Sequence, residues 1–230
     1  AIAKRMMEYH LDKDYTMRVA EHLGNPKKEK IYNIYSIEEI SEMSFSCPNC
    51  VLLMKAPNST QQRPVLGIPD TKFVLLNDRA KMITKAPIRV IHLSLLELHN
   101  SRTFWDIGAC TGSVSIEARR QYPHLNIQAF EVREECKDII RANARLHSAP
   151  GIDLHIGNFL NLPIAEDAIV DAVFIGGHGG KLKEIICKVA SHLDKLKGKI
   201  VFNSVSEESN KLFREAVEEN DLKLHSEMNI

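Results

Sequence analysis

A glycine-rich segment, WDIGACTGS at residues 105–113, has the residue types and spacing that suit binding of a nucleotide-containing cofactor. A dinucleotide fingerprint, G-x-G-x-x-G, needs glycine at positions 110 and 113, where this chain has Cys110 and Ser113. A phosphate-binding P-loop needs a lysine directly after its last glycine, and none follows Gly112. The segment therefore predicts neither a bound dinucleotide nor a bound nucleoside triphosphate.

The remaining pattern is D-x-G-x-G-x-G with one substitution, because Cys110 stands where the middle glycine is usual. This pattern is typical of Rossmann-like methyltransferases that bind S-adenosyl-L-methionine. That cofactor has no pyrophosphate, and the turn passes close to its amino-acid end, where glycines permit close approach and positive φ angles. The predicted cofactor contacts in the turn are Asp106, Gly108, Ala109, Cys110, Thr111 and Gly112.

Two further strand ends agree with this cofactor. Glu131 closes the next predicted strand, about 20 residues after the turn, and a carboxylate there can accept hydrogen bonds from both ribose hydroxyls. The strand after that ends at GNF, so Asn158 or the backbone around Phe159 is predicted to meet the adenine. The three sites fall on consecutive strands, which favours a single ligand that contacts all of them.

Cys110 is the departure from the pattern, and two interpretations are open. If residue 110 has a negative φ, the thiol is a tolerated substitution that needs only a small shift of the turn. Alternatively, the thiol lies near the sulfonium and acts as a redox-sensitive plug or lowers the affinity. In both cases we expect weaker cofactor binding than a glycine at this position would give.

The segment IGGHGG, residues 175–180, follows a later predicted strand and is the candidate acceptor side. Gly176 and Gly177 are predicted to leave room for a broad, flat substrate. His178 can hydrogen-bond a substrate carboxylate or move a proton, or it can be an exposed loop histidine. The Asn/Asp-Pro-Pro-aromatic signature of amine-methylating nucleic-acid enzymes is absent from this segment.

From about residue 86, apolar runs alternate with segments of helical periodicity. The predicted strands are RTFWDIG, NIQAFEV, IDLHIG, IVDAVFIGG, GKIVFNSV and LKLHSEMNI, and the predicted helices are IRVIHLSLLEL, SVSIEARRQY, EECKDIIRANARLH, KLKEIICKVASHL and ESNKLFREAVEEN. This alternation predicts an α/β class domain over residues 86–230, a doubly wound Rossmann-like sheet with ligand sites at the carboxyl ends of its strands.

Residues 1–85 are interpreted as a partial α/β segment with a linker, too small to bury a core alone. DYTMRVAEHLG has near-helical spacing and is predicted as a helix, and CVLLMKAP is predicted as a buried strand. SIEEISEM begins with Ser36 and has Glu39 three residues later, which predicts a capped helix. Residues 58–70 are rich in proline and polar residues and are predicted to be the linker.

Composition narrows the class of protein. The 230 residues carry 30 Lys and Arg against 30 Asp and Glu, and this zero net charge argues against a nucleic-acid partner. No apolar run is long enough to span a membrane. Five cysteines, an odd number, predict a reducing, cytoplasmic location rather than a disulfide framework. The single CPNC pair supplies two of the four ligands that a structural zinc needs, so no metal is expected.

Four segments together resemble the precorrin-6Y C5,15-methyltransferase (decarboxylating) family of cobalamin synthesis. They are MITKAPIRVIHLSLLEL, FWDIGACTGSVSIEA, DAVFIGGHGG and KGKIVFNSVSEES. Upstream, MRVAEHLGNPKKEKIY, CVLLMKAP and LGIPDTKF resemble the end of the family's other half, a tetrapyrrole methylase. The order of both parts around the MITK junction makes the resemblance specific, and residues 1–85 are accordingly interpreted as a remnant of that methylase domain.

The resemblance implies an enzyme that uses S-adenosyl-L-methionine to methylate carbon-15 of a precorrin-type tetrapyrrole and removes carbon dioxide from the ring-C acetate. Most of the half that methylates carbon-5 is not represented, so that step is not expected of this chain. The family's cofactor contacts map onto Thr84, the turn 108–112, Glu131, Asn158 and Phe159. Self-association into a homo-oligomer is also implied.

A tetrapyrrole with acetate and propionate groups is a polyanion, so basic residues near loop ends are candidate substrate contacts. These are Arg89, Lys85, Lys181 and Lys183, which can equally be solvated surface charges. Two other hypotheses stay open at this point. One is a methyltransferase that acts on another substrate, and the other is a non-catalytic remnant that binds a partner.

Overall fold

A computed structural model describes residues 1–57 and 65–229. The chain forms two compact units: the smaller is Ala1–Pro64 with Arg145–Ser148, and the larger is Val65–Ala144 with Ala149–Ile230. The sequence places the domain boundary at residue 85, whereas the segment 65–85 packs as part of the larger unit. That residues 1–85 are a remnant of a tetrapyrrole methylase domain stays a prediction.

The smaller unit is a three-stranded antiparallel sheet with two helices, in the strand order β2-β1-β3. Its elements are α1 (Ile2–Glu8), β1 (Tyr15–Glu21), β2 (Lys30–Tyr35), α2 (Ile37–Glu42) and β3 (Asn49–Lys55). The predicted capping box of α2 is confirmed, since Ser36 Oγ accepts from Glu39 N and the Glu39 carboxylate accepts from Ser36 N. Met17, Val19 and Ile37 are buried together, so this unit has a small core of its own, and the expectation that residues 1–85 are too small to bury a core is wrong.

Two further predictions for the smaller unit are wrong, one about an element and one about burial. The segment expected as a helix is β1, in which Met17, Val19 and Glu21 are buried at every second position, the period of a strand. The run CVLLMKAP does form a strand, β3, but β3 lies at the sheet edge and its residues are largely exposed rather than buried. Of the predicted linker, residues 58–64 lie outside the described residues.

The larger unit is a parallel five-stranded sheet in the order β6-β5-β4-β7-β8, and the predicted doubly wound α/β class is confirmed. Its elements are α3 (Ala86–Leu95), β4 (Thr103–Ile107), α4 (Ser113–Gln121), β5 (Asn126–Glu131), α5 (Cys136–Leu146), β6 (Ile152–Ile156), β7 (Ala172–Ile175), α6 (Leu182–His192), β8 (Lys199–Phe202) and α7 (Glu207–Glu219). The expected sixth strand is wrong, because the described residues 223–229 form no strand. Leu224 and Met228 remain about half exposed there, so little apolar burial favours their pairing with the sheet.

The five-stranded sheet lies in the interior of the larger unit. Phe104, Trp105 and Ile107 of β4 are all buried, since helices cover both faces of the sheet. The chain runs outward from β4 through β5 to β6 and then returns to place β7 on the other side of β4. The carboxyl ends of β4 and β7 therefore meet at the switch in strand order, where ligands bind in such sheets. Every helix in the described part of the chain is too short or too polar to cross a membrane.

Candidate functional site

The turn between β4 and α4 is held mostly in the left-handed backbone region. Gly108 has a φ of 79°, Cys110 a φ of 49° and Gly112, the N-cap of α4, a φ of 72°. The negative φ on which the tolerated-substitution interpretation depends is therefore wrong for Cys110. A side chain in this region costs roughly 1–2 kcal/mol in steric strain, so position 110 favours glycine.

The turn touches the loop after β7 backbone to backbone. A Cβ added to Gly108 would lie 2.6 Å from Gly177 N, and one added to Gly176 would lie 2.8 Å from Cε1 of Phe174. Gly176 is closely packed against Phe174, whereas a Cβ on Gly177 would meet only Gly108 Cα at 3.9 Å, and both glycines are exposed, so room for a substrate beside them stays a prediction. Open space lies further along the loop, where a Cβ on Gly179 or Gly180 would meet nothing within 4 Å.

Asp106, the last residue but one of β4, is almost completely buried. Its Oδ2 accepts hydrogen bonds from Ser115 N at 3.1 Å and Ser115 Oγ at 2.5 Å, while Oδ1 is buried without a partner among the described residues. Burial raises the pKa of the Asp106 carboxyl to about 6. A buried carboxylate oxygen with no partner is costly, so a cationic or donating ligand group at Oδ1 would remove that cost.

Glu131 ends β5 and faces the same turn. Its Oε2 accepts from Cys110 N at 2.8 Å, and its Oε1 accepts from Arg133 N at 3.0 Å and from Arg133 Nη1 at 3.2 Å. The carboxylate is 2% exposed, whereas the next side chain, Val132, is 62% exposed. An acid that accepts hydrogen bonds thus lies beside a bare apolar side chain, which suits a sugar joined to a flat base.

The Cys110 thiol packs against the thiol of Cys136 in α5. Burial raises the pKa of both groups, and that of Cys136 reaches about 12. Both sulfurs therefore stay protonated at neutral pH, and a protonated thiol is a poor nucleophile. This chemistry disfavours the redox-sensitive plug and leaves strain and bulk as the effects of Cys110.

The turn after β6 carries the predicted adenine contacts in an unexpected way. Asn158 Oδ1 accepts from Leu160 N at 3.0 Å, so the amide oxygen closes its own turn. The Phe159 ring is buried and lies 5.0 Å from the ring of Phe130 and 6.0 Å from that of Trp105. The Phe159 ring is therefore part of the core, whereas Asn158 is exposed, and a ligand here would meet Asn158 or the backbone of the turn.

His178 is tied into the protein at both ring nitrogens. Gly180 N donates to its Nδ1 at 3.2 Å, and its Nε2 lies 3.3 Å from Ser209 Oγ in the first turns of α7. Since Nδ1 accepts, the proton of the neutral ring is on Nε2, which donates to Ser209. His178 therefore links the loop after β7 to α7, and it can act on a substrate only if one of these bonds is exchanged.

Arg89, expected to contact the substrate, is instead fully buried, which corrects that assignment. Its Nε donates to Glu117 at 3.0 Å, its Nη1 donates to Asp70 at 2.8 Å and to the carbonyl of Thr84, and its Nη2 donates to the carbonyl of Ile68. All three guanidinium nitrogens are therefore occupied. Glu117 also accepts from the backbone at Gly67 and Ile68, so the network fastens the segment 65–85 onto α3 and α4.

Thr84 contributes its carbonyl to this network, and its contact with a cofactor stays a prediction. The other basic candidates are ion-paired within the chain: Lys85 with Asp70, Lys181 with Glu184, and Lys183 with Glu215 and Glu219. Exposed pairs of this kind exchange readily, so the three lysines stay available to an anion in a way that Arg89 does not. Cys47 and Cys50 of CPNC are exposed, and in the described ranges no cluster of three or more His, Cys, Asp or Glu side chains could hold a metal ion.

Sequence reasoning missed several groups that shape this site. Ser115 holds one oxygen of Asp106, Val132 and Arg133 flank the Glu131 carboxylate, and Lys188 of α6 binds the turn after β6. A periodicity or motif argument has no signal for these, with one exception. Val132 is an apolar residue directly after a strand-end acid, and that position at the sheet edge predicts exposure.

Comparison with known proteins adds to this geometry. The precorrin methyltransferase domain family matches residues 76–226. The chain is 35% identical over 127 residues to the cobalt-precorrin-6B C(15)-methyltransferase (decarboxylating) of Salmonella typhimurium, and the match covers 55% of the chain and 64% of the relative. It is 32% identical over 126 residues to the precorrin-6Y C(5,15)-methyltransferase (decarboxylating) of Sinorhizobium sp, covering 54% of the chain and 29% of that relative. The chain thus spans less than two thirds of either relative's length.

A solved structure agrees with both. The precorrin-6y C5,15-methyltransferase of Geobacter metallireducens GS-15 superposes with a TM-score of 0.63 and 36% identity, over 70% of this chain and 82% of that one. The turn after β4, β5 with Glu131 and the loop after β7 all lie inside the matched range 76–226. Because the family match takes in well over half of the sequence, the chain belongs to the precorrin methyltransferase domain family.

Proposed function

We propose that this chain transfers a methyl group from S-adenosyl-L-methionine to carbon-15 of a precorrin-6 type tetrapyrrole and removes carbon dioxide from the ring-C acetate. One observation carries the proposal. Two buried carboxylates, Asp106 and Glu131, face one glycine turn in a chain whose relatives are named C15-methyltransferases. The spacing of charge and apolar surface in this turn suits a ligand with an ammonium at one end and a ribosyl base at the other.

The residues present fit S-adenosyl-L-methionine. Asp106 Oδ1, buried without a partner among the described residues, is placed to accept the amino group of the methionine part. Glu131 Oε1 can accept ribose hydroxyls once the exposed Arg133 side chain releases its 3.2 Å bond. Val132 offers an apolar surface for the adenine, and the backbone at Asn158 and Phe159 borders it. When bound, this cofactor supplies a methyl group that is already electrophilic.

The protein has mainly to position the reactants, since an electron-rich macrocycle supplies the carbon nucleophile. In the decarboxylation, the bond between the acetate methylene and its carboxylate breaks, and the conjugated ring takes up the electron pair. A proton then replaces carbon dioxide on that carbon. His178 is our candidate for moving this proton, through Nε2 after it exchanges its bond to Ser209.

The substrate side and the cellular setting complete the proposal. The exposed lysines Lys85, Lys181 and Lys183 can pair with the carboxylates of a tetrapyrrole. We propose a homo-oligomer in the cytoplasm, without a nucleic-acid or membrane partner. The exposed apolar edge strand β3 supports self-association, which light scattering coupled to size exclusion tests.

A two-part experiment tests the reaction. Calorimetry with S-adenosylhomocysteine measures whether the turn binds the cofactor skeleton, and incubation with a precorrin-6 type substrate is followed by mass spectrometry. The expected product has gained a methyl group and lost carbon dioxide. Binding without product points to another acceptor, and no binding points to a remnant without cofactor affinity. Either result overturns the proposed activity.

A further inference from the structure

Lys188 of α6 makes an unusual set of contacts for a lysine. Its Nζ donates to the carbonyl oxygens of Phe159 at 2.8 Å, Leu160 at 3.2 Å and Leu162 at 2.9 Å. The same Nζ lies 5.0 Å from the centre of the Phe159 ring. An ammonium has three N–H donors, so all three donors of Lys188 are bonded to a single turn.

The charge is not there to neutralise an acid. Burial lowers the pKa of Lys188, and no carboxylate among the described residues pairs with it. A half-buried cation in such a place costs free energy, which the three carbonyls and the ring offset. A methionine would fill the same position on α6 without that cost, so the ammonium serves the conformation of the turn.

The turn that Lys188 holds is coupled to the candidate cofactor site. It follows β6 at the edge where β5 ends, and Gly157 N donates to the carbonyl of Glu131 at 2.8 Å. Because Lys188 already donates to three carbonyls of the turn, each of them is a weaker acceptor for a donor on a ligand. The N–H groups of Gly157, Leu160, Asn161 and Leu162 are bonded within the chain, so an acceptor atom of a purine at this edge would meet the N–H of Asn158 or Phe159.

We propose that Lys188 is a positioning residue that fixes the turn at residues 158–162 and so sets the preference of the site for adenine over hypoxanthine. Adenine has an acceptor at N1 and hypoxanthine has a donor there, so an N–H of the turn that faces N1, rather than the substituent at carbon-6, favours adenine. The proposal rests on the proposed function, because it assumes that an adenosyl ligand lies against this turn. It assigns to Lys188 no contact with the ligand.

The test compares calorimetric affinities for S-adenosylhomocysteine and S-inosylhomocysteine in the wild type and in Lys188→Met. We expect the variant to bind the adenosyl compound about tenfold more weakly, a change of about 1.4 kcal/mol, and to lose most of its preference over the inosyl compound. A purely structural loss would lower both affinities together and leave their ratio unchanged. An unchanged ratio in a folded variant overturns the proposal.

Matched variants keep the result decisive. Lys195→Met removes another lysine that donates to a backbone carbonyl, that of Ala190 at 3.1 Å, but does not touch the turn, and it should preserve the ratio. Lys188→Arg should restore most of the preference, and Lys188→Gln should not. If circular dichroism shows that Lys188→Met is unfolded, the Arg and Gln variants carry the comparison, and equal ratios in those two overturn the proposal. If the wild type binds neither compound, that result contradicts the proposed function, on which the proposal for Lys188 rests.

Discussion

The two walls of the candidate site are built differently. Beside β4 and β5, the wall consists of strand-end carboxylates, and Asp106 Oδ1 has no partner among the described residues. Beside β7, the wall is the loop at residues 176–180, in which the Gly177 backbone contacts Gly108 of the first wall and both nitrogens of His178 are bonded within the chain. The first wall therefore has a hydrogen-bond acceptor that a ligand can use, whereas the imidazole of the second wall is already bonded within the chain. Glycines after a strand can therefore signal close packing rather than space for a substrate.

The largest effect should come from breaking the contact between the walls. Gly108→Ala places a Cβ 2.6 Å from Gly177 N at a φ of 79°, so left-handed strain and overpacking together should destabilise the fold by roughly 2–5 kcal/mol. Gly180→Ala is the matched control, because its φ is 80° but its Cβ would meet nothing within 4 Å. It should cost only the backbone strain, about 1–2 kcal/mol.

Urea unfolding of the two variants measures the difference. If Gly180→Ala is as destabilised as Gly108→Ala, the backbone conformation alone explains both, and the contact between the walls contributes nothing. If neither loses stability, the turn has relaxed, and the close approach does not constrain residue 108.

The next effect tests the charge on the first wall. Burial raises the pKa of Asp106 from 3.8 to about 6, so the folded state holds this proton more tightly than the unfolded chain does. The contribution of Asp106 to stability therefore declines as the pH rises from about 4 to about 6, where the buried group ionises. A ligand ammonium needs the ionised form, so the affinity for S-adenosylhomocysteine should be full above pH 6 and fall as the pH drops through 6.

Asp106→Asn separates this effect from other titrations. The variant should bind S-adenosylhomocysteine about tenfold more weakly at pH 7.5, a loss of about 1.4 kcal/mol, and its affinity should be nearly flat between pH 5 and 7.5. Calorimetry across this pH range provides the measurement. Asp153→Asn, on the exposed side of β6, is the control and should retain the wild-type profile. A wild-type affinity that does not change with pH would contradict the role of Oδ1.

The contrast between the walls also marks what a sequence can reveal. Strand, turn and helix follow from local periodicity, and parallel strands bring their carboxyl ends together, so Asp106 and Glu131 were predictable as neighbours. The burial of Arg89 was not, because its acidic partners lie 19 and 28 residues away. The role of Lys188 depends on carbonyls 26 to 29 residues away. Contacts of this kind carry no motif.

Local ambiguity accounts for the other errors. In β1, Met17 and Val19 fit a strand period of two, while their spacing to Ala20 and Leu23 also fits a helix. Pairing with β2 and β3 decides between the two, and that pairing is not local. The φ of Cys110 was equally hidden, since residue type disfavours 49° and only the surrounding turn imposes it.

A smaller effect is expected from relieving the strain at Cys110. Cys110→Gly removes a Cβ from the left-handed region, whereas Cys110→Ala removes only the thiol and keeps that Cβ. The glycine variant should therefore be more stable than the alanine variant by about 1 kcal/mol and should bind S-adenosylhomocysteine more tightly than the wild type. Thermal unfolding and calorimetry measure both. Equal stability of the two variants would mean that bulk, not backbone strain, is what the cysteine contributes.

The smallest effect concerns Arg133, whose hydrogen bond to Glu131 must break before a ribose hydroxyl can take its place. Arg133 Nη1 donates to Glu131 Oε1 at 3.2 Å from a side chain that is 43% exposed, so it competes with a ribose hydroxyl only weakly. Arg133→Ala should tighten binding of S-adenosylhomocysteine by about twofold, because Oε1 is then free of the guanidinium while Arg133 N still orients it. Lys137→Ala removes an exposed ion pair with Glu134, which does not involve the Glu131 carboxylate, and should leave the affinity unchanged. A marked loss of affinity in Arg133→Ala would instead make the guanidinium part of the ligand contact, and the first wall would then include a cation as well as its two acids.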